Sequence, residues 1–289
     1  MKYPSTAIVL PTANCFSHCR FCFRKRLFTG NIRQTDILDG MEKLDMFLRQ
    51  HTSINNILIT GGDPLILTTH YLKKILSLVL NHDHIEVIRF GSRVLTYFPS
   101  RIETDPALID VLKMIRNKGR RAYLVCHFNH PRELTPRIQG VIDQLMGIGI
   151  ILQNQTVLLR GINDSPDVLK LLFTKLTLWG IIPYYVFQCK FVISNKHFRI
   201  PLHETCKIFL EATRGLNGLA KRPQLIMAHF SGKIEILGTN FIDGKRYIYL
   251  KYHQARDESV IGNVLSFSLP DNAYWFDDLY ASCEGGKAI

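Results

Sequence analysis

Six short runs of β-branched and other apolar residues, each followed by a segment of helical periodicity, constrain this chain more than any other feature. The runs are 7–11, 56–60, 86–90, 122–127, 150–157 and 182–188. The helix-like segments are 37–49, 70–80, 107–117, 136–146, 167–178 and 203–215, with Pro166 and Pro201 near two of their starts, where proline is tolerated. Nearly all the runs are apolar throughout, as in a parallel sheet covered by helices. The expected class is therefore α/β, and a partial (β/α)6 barrel is the most economical closure. In such a barrel the chemistry gathers at the C-terminal ends of the strands. After residue 220 the rhythm changes to short strands at 224–230, 233–237 and 246–252, separated by Ser231-Gly232 and Asp243-Gly244 turns. The expected organisation is a barrel core over 1–218 and a small C-terminal β-hairpin extension with a tail over 219–289. The tail from residue 269 mixes aromatics with acids and gives no assignment.

The 289 residues, 46% hydrophobic and 21% charged, suffice for one large core or a core plus an appendage. No apolar run reaches the ~20 residues of a membrane span, and the start, Met1-Lys2-Tyr3-Pro4, lacks a signal-peptide stretch. Seven cysteines, three of them clustered, fit a reducing compartment better than a disulfide framework, so a cytoplasmic location is expected. The formal charge of +12 is scattered. Without a repeated basic–aromatic stripe it does not indicate a nucleic-acid partner. A positive field equally suits anionic cofactors, acidic substrates or an acidic electron donor.

Cys15, Cys19 and Cys22 stand in the spacing CxxxCxxC, with no fourth cysteine nearby. Thiolates are soft ligands suited to iron–sulfur clusters, and a 4Fe–4S cube ordinarily takes four of them. Three from one loop would leave one iron open. A partial zinc site and a chance group of core cysteines are the alternatives; zinc wants a fourth ligand that His18 is badly placed to give. Ile59-Thr60-Gly61-Gly62-Asp63-Pro64 follows the second strand. Its glycines allow close approach to the backbone, with a carboxylate alongside. A plain strand-to-helix turn would use the same residues.

Together the two strings resemble the radical S-adenosylmethionine (SAM) enzymes. Five further strings narrow the resemblance to the lysine 2,3-aminomutase family. They are Gly91-Ser92-Arg93, Cys126 to Pro131, Asn154 to Asp164, Pro183 to Cys189, and His197-Phe198-Arg199-Ile200-Pro201. The resemblance covers roughly residues 5 to 252. It implies a SAM-cleaving isomerase that abstracts a hydrogen atom from an amino acid, with pyridoxal phosphate (PLP) as a further cofactor. By position, Cys15, Cys19 and Cys22 would hold the 4Fe–4S cluster. Gly61, Gly62, Asp63, Arg93, His127 and Gln155 would serve SAM, and Arg24 would grip the substrate carboxylate. Lys233, after Ser231-Gly232, falls where the family carries PLP, although the family's turn is longer and richer in glycine. An ordinary hairpin would also use Ser231-Gly232, leaving Lys233 an exposed strand residue.

Lys190 replaces an aspartate that reads a distal ammonium in lysine-specific members. The exchange implies an acidic side chain such as glutamate's, unless Lys190 points to solvent. The family's helical N-terminal region and zinc cysteines have no counterpart in the sequence, which leads us to expect a smaller oligomer or a monomer. The reductant implied is an acidic flavodoxin or ferredoxin. Radical SAM chemistry without PLP, as in an epimerase or modifying enzyme, stays open. So does a non-enzymatic iron–sulfur protein for electron transfer or redox sensing.

Overall fold

The computed structural model describes residues 3–25 and 37–280. Arg26 and Cys283 lie outside the described residues. The chain forms two compact units, residues 1–128 with 133–154, and residues 129–132 with 155–289. The chain passes from the first to the second within one strand.

In the first unit, strands β1 (Thr6–Thr12), β2 (Asn56–Gly61), β3 (Val87–Gly91), β4 (Arg121–Cys126) and β5 (Ile150–Val157, to residue 154) pair in sequence order. Every pair is parallel, with Ile57 opposite both Ala7 and Ile88 and Leu124 opposite both Phe90 and Leu152. The connections carry α1 (Met41–Gln50), α2 (Thr69–Val79), two single turns α3 (Val94–Tyr97) and α4 (Ser100–Glu103), α5 (Pro106–Asn117) and α6 (Pro136–Gly147). Helix α2 shows why the crossovers pack. Leu72, Ile75, Leu76 and Val79 recur at i, i+3, i+4 and i+7 and are all fully buried. Each such side chain contributes roughly 1.5–3 kcal/mol by leaving water. Thr68 caps α2 by accepting from the Tyr71 amide, and Asp105 caps α5 by accepting from the Leu108 amide at 3.0 Å. Pro106 and Pro136 open their helices where no amide partner is needed.

The second unit contains the last three residues of β5, then α7 (Pro166–Leu178), β6 (Ile182–Phe187), α8 (Leu202–Thr213) and β7 (Gln224–Ala228). Strand β6 pairs with β7 in parallel. Strands β8 (Gly232–Ile242), β9 (Lys245–Ala255) and β10 (Val264–Ser268) follow in antiparallel order. The hairpin strands run well past the expected 233–237 and 246–252. Asp243 and Gly244, with φ of 48° and 75°, make the two-residue turn whose twist matches the strands it joins. The tail from residue 269 supplies the short helix α9 (Phe276–Tyr280), whose Phe276 and Leu279 are buried. The chain is thus a mixed α/β protein in which the parallel pattern gives way to antiparallel pairing after β7. Among the described residues no helix is long and apolar enough to cross a membrane.

Candidate active site

Parallel neighbours in sequence order bring their C-terminal ends together, and the first unit places a predicted site residue at four of them. The cysteine loop follows β1, Gly61-Gly62-Asp63 closes β2, Gly91-Ser92-Arg93 closes β3, and His127 follows β4.

The cysteine loop itself explains the two glycines. A Cβ on Gly61 would lie 2.6 Å from the Thr12 carbonyl oxygen, and one on Gly62 would lie 1.9 Å from that of Asn14. Gly61 also holds φ at +119°, which side chains disfavour. The close approach lets the Gly62 amide donate to the Thr12 carbonyl and the Asp63 amide to the Asn14 carbonyl, both at 2.8 Å. The first partner of this glycine pair is therefore the chain's own cysteine loop.

Asp63 is committed to holding the turn. One carboxylate oxygen accepts from the Ser92 hydroxyl at 2.7 Å and the Leu65 amide at 3.1 Å, and the other accepts from the Arg93 amide at 2.8 Å. Burial pushes its pKa up, opposed by these hydrogen bonds. What the turn can offer a ligand is accordingly its main chain.

Two arginines flank the loop. Arg24 Nη1 donates to Thr60 Oγ1 at 2.7 Å and to the Gly61 carbonyl at 3.2 Å. Burial lowers the pKa of its guanidinium, and Cys22 and Cys15 oppose that shift. Arg93 Nη1 donates to Cys19 Sγ at 3.0 Å and Nη2 to Glu133 at 2.8 Å. Its guanidinium lies over the rings of Tyr97 and Phe21, at 4.5 and 5.3 Å from their centroids. The Tyr97 hydroxyl is 3.7 Å from the same sulfur.

Among the described residues no three His, Cys, Asp or Glu side chains converge closely enough to hold a metal ion as they stand. The donor set still fits an iron–sulfur cluster in kind. Burial, then Asp63 and the other two thiols, push Cys15 up to about 12, and burial raises Cys22. Thiols that feel one another's charge in this way stay protonated until a cation compensates them, which is how metal binding comes to organise a loop. His127 meets Phe21 edge to face at 5.7 Å, and its Nε2 is buried without a hydrogen-bond partner. Burial, and then the nearby Arg93, hold its pKa well below the usual value, so the ring is neutral and Nε2 can serve a ligand. Asn154 fixes the segment beyond it by accepting from the Phe128 amide and donating to the Phe128 carbonyl, at 2.8 and 3.0 Å.

The remaining predicted residues belong to the second unit. Gln155 is half-buried on β5, and Lys190 is exposed beyond β6. Gln188, which precedes Lys190 by two residues, is buried and donates to the Ile200 carbonyl at 2.7 Å. Lys233 is half-buried, with Nζ 4.4 Å from the centroid of the Tyr185 ring. Tyr185 in turn shares a 2.8 Å hydrogen bond with His253 Nε2. His253 is an unpaired extra residue of β9, since Lys233 pairs with Gln254 and Ile234 with Tyr252. Such a bulge re-aims a side chain. Burial, then Lys233, lower its pKa.

A lysine over an aromatic face, close enough to a neutral imidazole to influence its charge, fits a PLP-bearing role. The turn before it does not supply a phosphate cradle. A Cβ on Gly232 would meet the Gln254 carbonyl oxygen at 2.3 Å, so strand pairing accounts for that glycine. Ser231 Oγ lies 2.7 Å from His229 Nδ1 and 3.1 Å from the Tyr252 hydroxyl. His229 Nε2 reaches Asp277 at 3.2 Å.

Sequence reasoning missed Ser92, Tyr97, Glu133, His253 and Asp277. Tyr97 carried a usable signal, one helical turn beyond Arg93. The others meet their partners across 29 to 68 residues of chain or at a bulge, which no local pattern announces.

A three-thiol loop locked onto a glycine pair at the end of the next parallel strand is the element of a radical SAM enzyme. No family model matches the chain. Curated relatives do. An Aquifex aeolicus protein named "Putative L-lysine 2,3-aminomutase" is 42% identical over 281 residues, 96% of this chain and 73% of its own length. The L-lysine 2,3-aminomutase of Fusobacterium nucleatum is 36% identical over 74% of this chain, which spans only 48% of that enzyme. The glutamate 2,3-aminomutase of Clostridioides difficile is 34% identical over 86% of this chain and 58% of its own. The chain belongs to the lysine 2,3-aminomutase family of radical SAM isomerases. The cofactors of that family are a 4Fe–4S cluster, SAM and PLP.

Proposed function

We propose that this chain is an amino-acid 2,3-aminomutase that cleaves SAM reductively, built on a partial (β/α)6 barrel. The observation that carries the reading is the cysteine loop seated on Gly61 and Gly62, with Arg24, Arg93 and His127 around it. Cys15, Cys19 and Cys22 would hold the cluster, and Gly61 to Asp63, Arg93, His127 and Gln155 would surround SAM. Lys233 would carry PLP. When bound, these cofactors supply the one-electron chemistry that takes a hydrogen atom from an unactivated carbon and lets an amino nitrogen migrate. The protein orients and excludes water. Arg24 presents a half-buried planar cation suited to a carboxylate, and neutral His127 offers Nε2 to the cofactor. The net charge of +12 favours an acidic flavodoxin or ferredoxin as electron donor.

Anaerobically reconstituted protein should hold about four irons and cleave SAM when reduced. Cys15→Ala, Cys19→Ala and Cys22→Ala should each abolish cleavage, while Cys206→Ala should not. Equal cleavage by the triple loop mutant refutes the reading.

An acidic substrate would rest on Lys190, which is exposed beyond β6. A distal carboxylate pairing with an exposed lysine gains up to about 1 kcal/mol, which corresponds to roughly fivefold in preference. Glutamate should therefore turn over faster than lysine, and Lys190→Asp should erode that preference without affecting SAM cleavage. Faster turnover of lysine would assign Lys190 to solvent.

The occupied Ser231-Gly232 turn favours a second reading, radical SAM chemistry without PLP. Borohydride reduction of protein incubated with PLP decides between them. A pyridoxyl label on Lys233, lost in Lys233→Ala, supports the aminomutase; SAM binding with no PLP uptake supports the alternative.

A further inference from the structure

We propose that Arg93, seconded by Tyr97 and opposed by Glu133, sets the reduction potential of the cluster by acting on the sulfur of Cys19. This rests on the reading of Cys15, Cys19 and Cys22 as cluster ligands, and goes beyond it by singling out one of the three. Cys19 Sγ is the sulfur that the Arg93 guanidinium approaches at hydrogen-bond distance, 3.0 Å from Nη1, with the Tyr97 hydroxyl at 3.7 Å. Arg93 is built to stay there. Its side chain is 9% exposed and its amide donates to Asp63. Its plane lies over Tyr97 and Phe21, and Nη2 is anchored on Glu133 at 2.8 Å. A guanidinium keeps its proton at any working pH, so the charge beside Cys19 is fixed.

Hydrogen bonds to cluster sulfurs and net charge near a cluster both set its potential. The step concerned is a one-electron reduction from the 2+ to the 1+ state, with the electron supplied by an external donor. That step adds one negative charge to the cluster. A fixed cation on a ligand sulfur favours the reduced form, and a carboxylate on the far side of that cation partly cancels the effect. The three residues therefore carry predictions of opposite sign.

The test is an anaerobic redox titration of reconstituted holoprotein with dithionite, followed by electron paramagnetic resonance, with iron measured on every sample. Arg93→Gln should shift the midpoint to more negative potential and Glu133→Gln to more positive potential. Tyr97→Phe should give a smaller negative shift than Arg93→Gln. Midpoints unchanged at full iron content, or all three shifted in one direction, overturn the proposal while leaving the cluster assignment intact. Failure of the wild-type protein to hold iron refutes the cluster assignment instead. If Arg93→Gln does not load, the opposed signs of Glu133→Gln and Tyr97→Phe still decide.

Discussion

Replacing Gly62 by alanine tests how the cysteine loop is held. The new methyl would lie 1.9 Å from the Asn14 carbonyl oxygen, with the Asn14 and Ala13 carbonyl carbons at 2.5 and 2.7 Å. Carbon–oxygen contacts settle at about 3.3–3.6 Å, so the loop backbone must retreat by more than about 1 Å. Neither of the 2.8 Å hydrogen bonds between the turn and the loop, Gly62 to Thr12 and Asp63 to Asn14, survives that displacement. Each contributes about 1 kcal/mol, and residual overpacking costs a further 1–3 kcal/mol or so. The expected loss is about 3–5 kcal/mol, read as a lower midpoint in urea unfolding of the apo-protein. Iron uptake on reconstitution should fall by more than half. A Gly62→Ala protein that unfolds at the wild-type midpoint and takes up its full iron would refute the argument that this contact seats the loop.

Gly140 is the control: it is exposed in α6, and a methyl group there would meet nothing within 4 Å, so Gly140→Ala should stabilise by about 0.5–1 kcal/mol in the same urea assay. His127, whose folded pKa is depressed, binds fewer protons folded than unfolded. Its contribution is complete above the unfolded value of about 6.5 and is lost as pH falls below it. Unfolding midpoints should therefore decline from pH 7 to 5, less steeply in His127→Gln; an identical profile would contradict this. Asp105 accepts from Thr69, the Leu108 amide and Arg101, which together lower its pKa. Asp105→Ala should cost about 1–2 kcal/mol, and the stabilisation it removes should fade in wild type as acid protonates Asp105 below about pH 4.

The parallel core was legible because its signals are local. The expected strand at 150–157 coincides with β5, which starts after Gly149 at φ +87° and alternates buried and half-buried residues. Prolines 106, 136 and 166 mark helix starts for the same local reason. The expected 233–237 stops short of the full β8 because Gly238 and Asn240 are weak strand formers. Pairing with Tyr249 and Tyr247 carries them, and that partner is invisible to a local pattern. Single turns such as α3 bury too few residues to show a period. In the site, the residue types and their order were readable, whereas their orientation was not. Asp63 reads as a ligand-facing carboxylate until Ser92 and the Arg93 amide are seen to claim it.

The bulge in β9 is a position that the ladder can spare. His253 has no partner across the strand, so its identity can change without breaking a rung. Its deletion would bring Gln254 next to Tyr252, and Gln254 and Ala255 would keep Lys233 and Gly232 as their partners with the alternation of faces unbroken. What a deletion removes is the ring that meets the Tyr185 hydroxyl, and the local bend that aims it there. The strand thus carries His253 for what its ring meets and not for pairing.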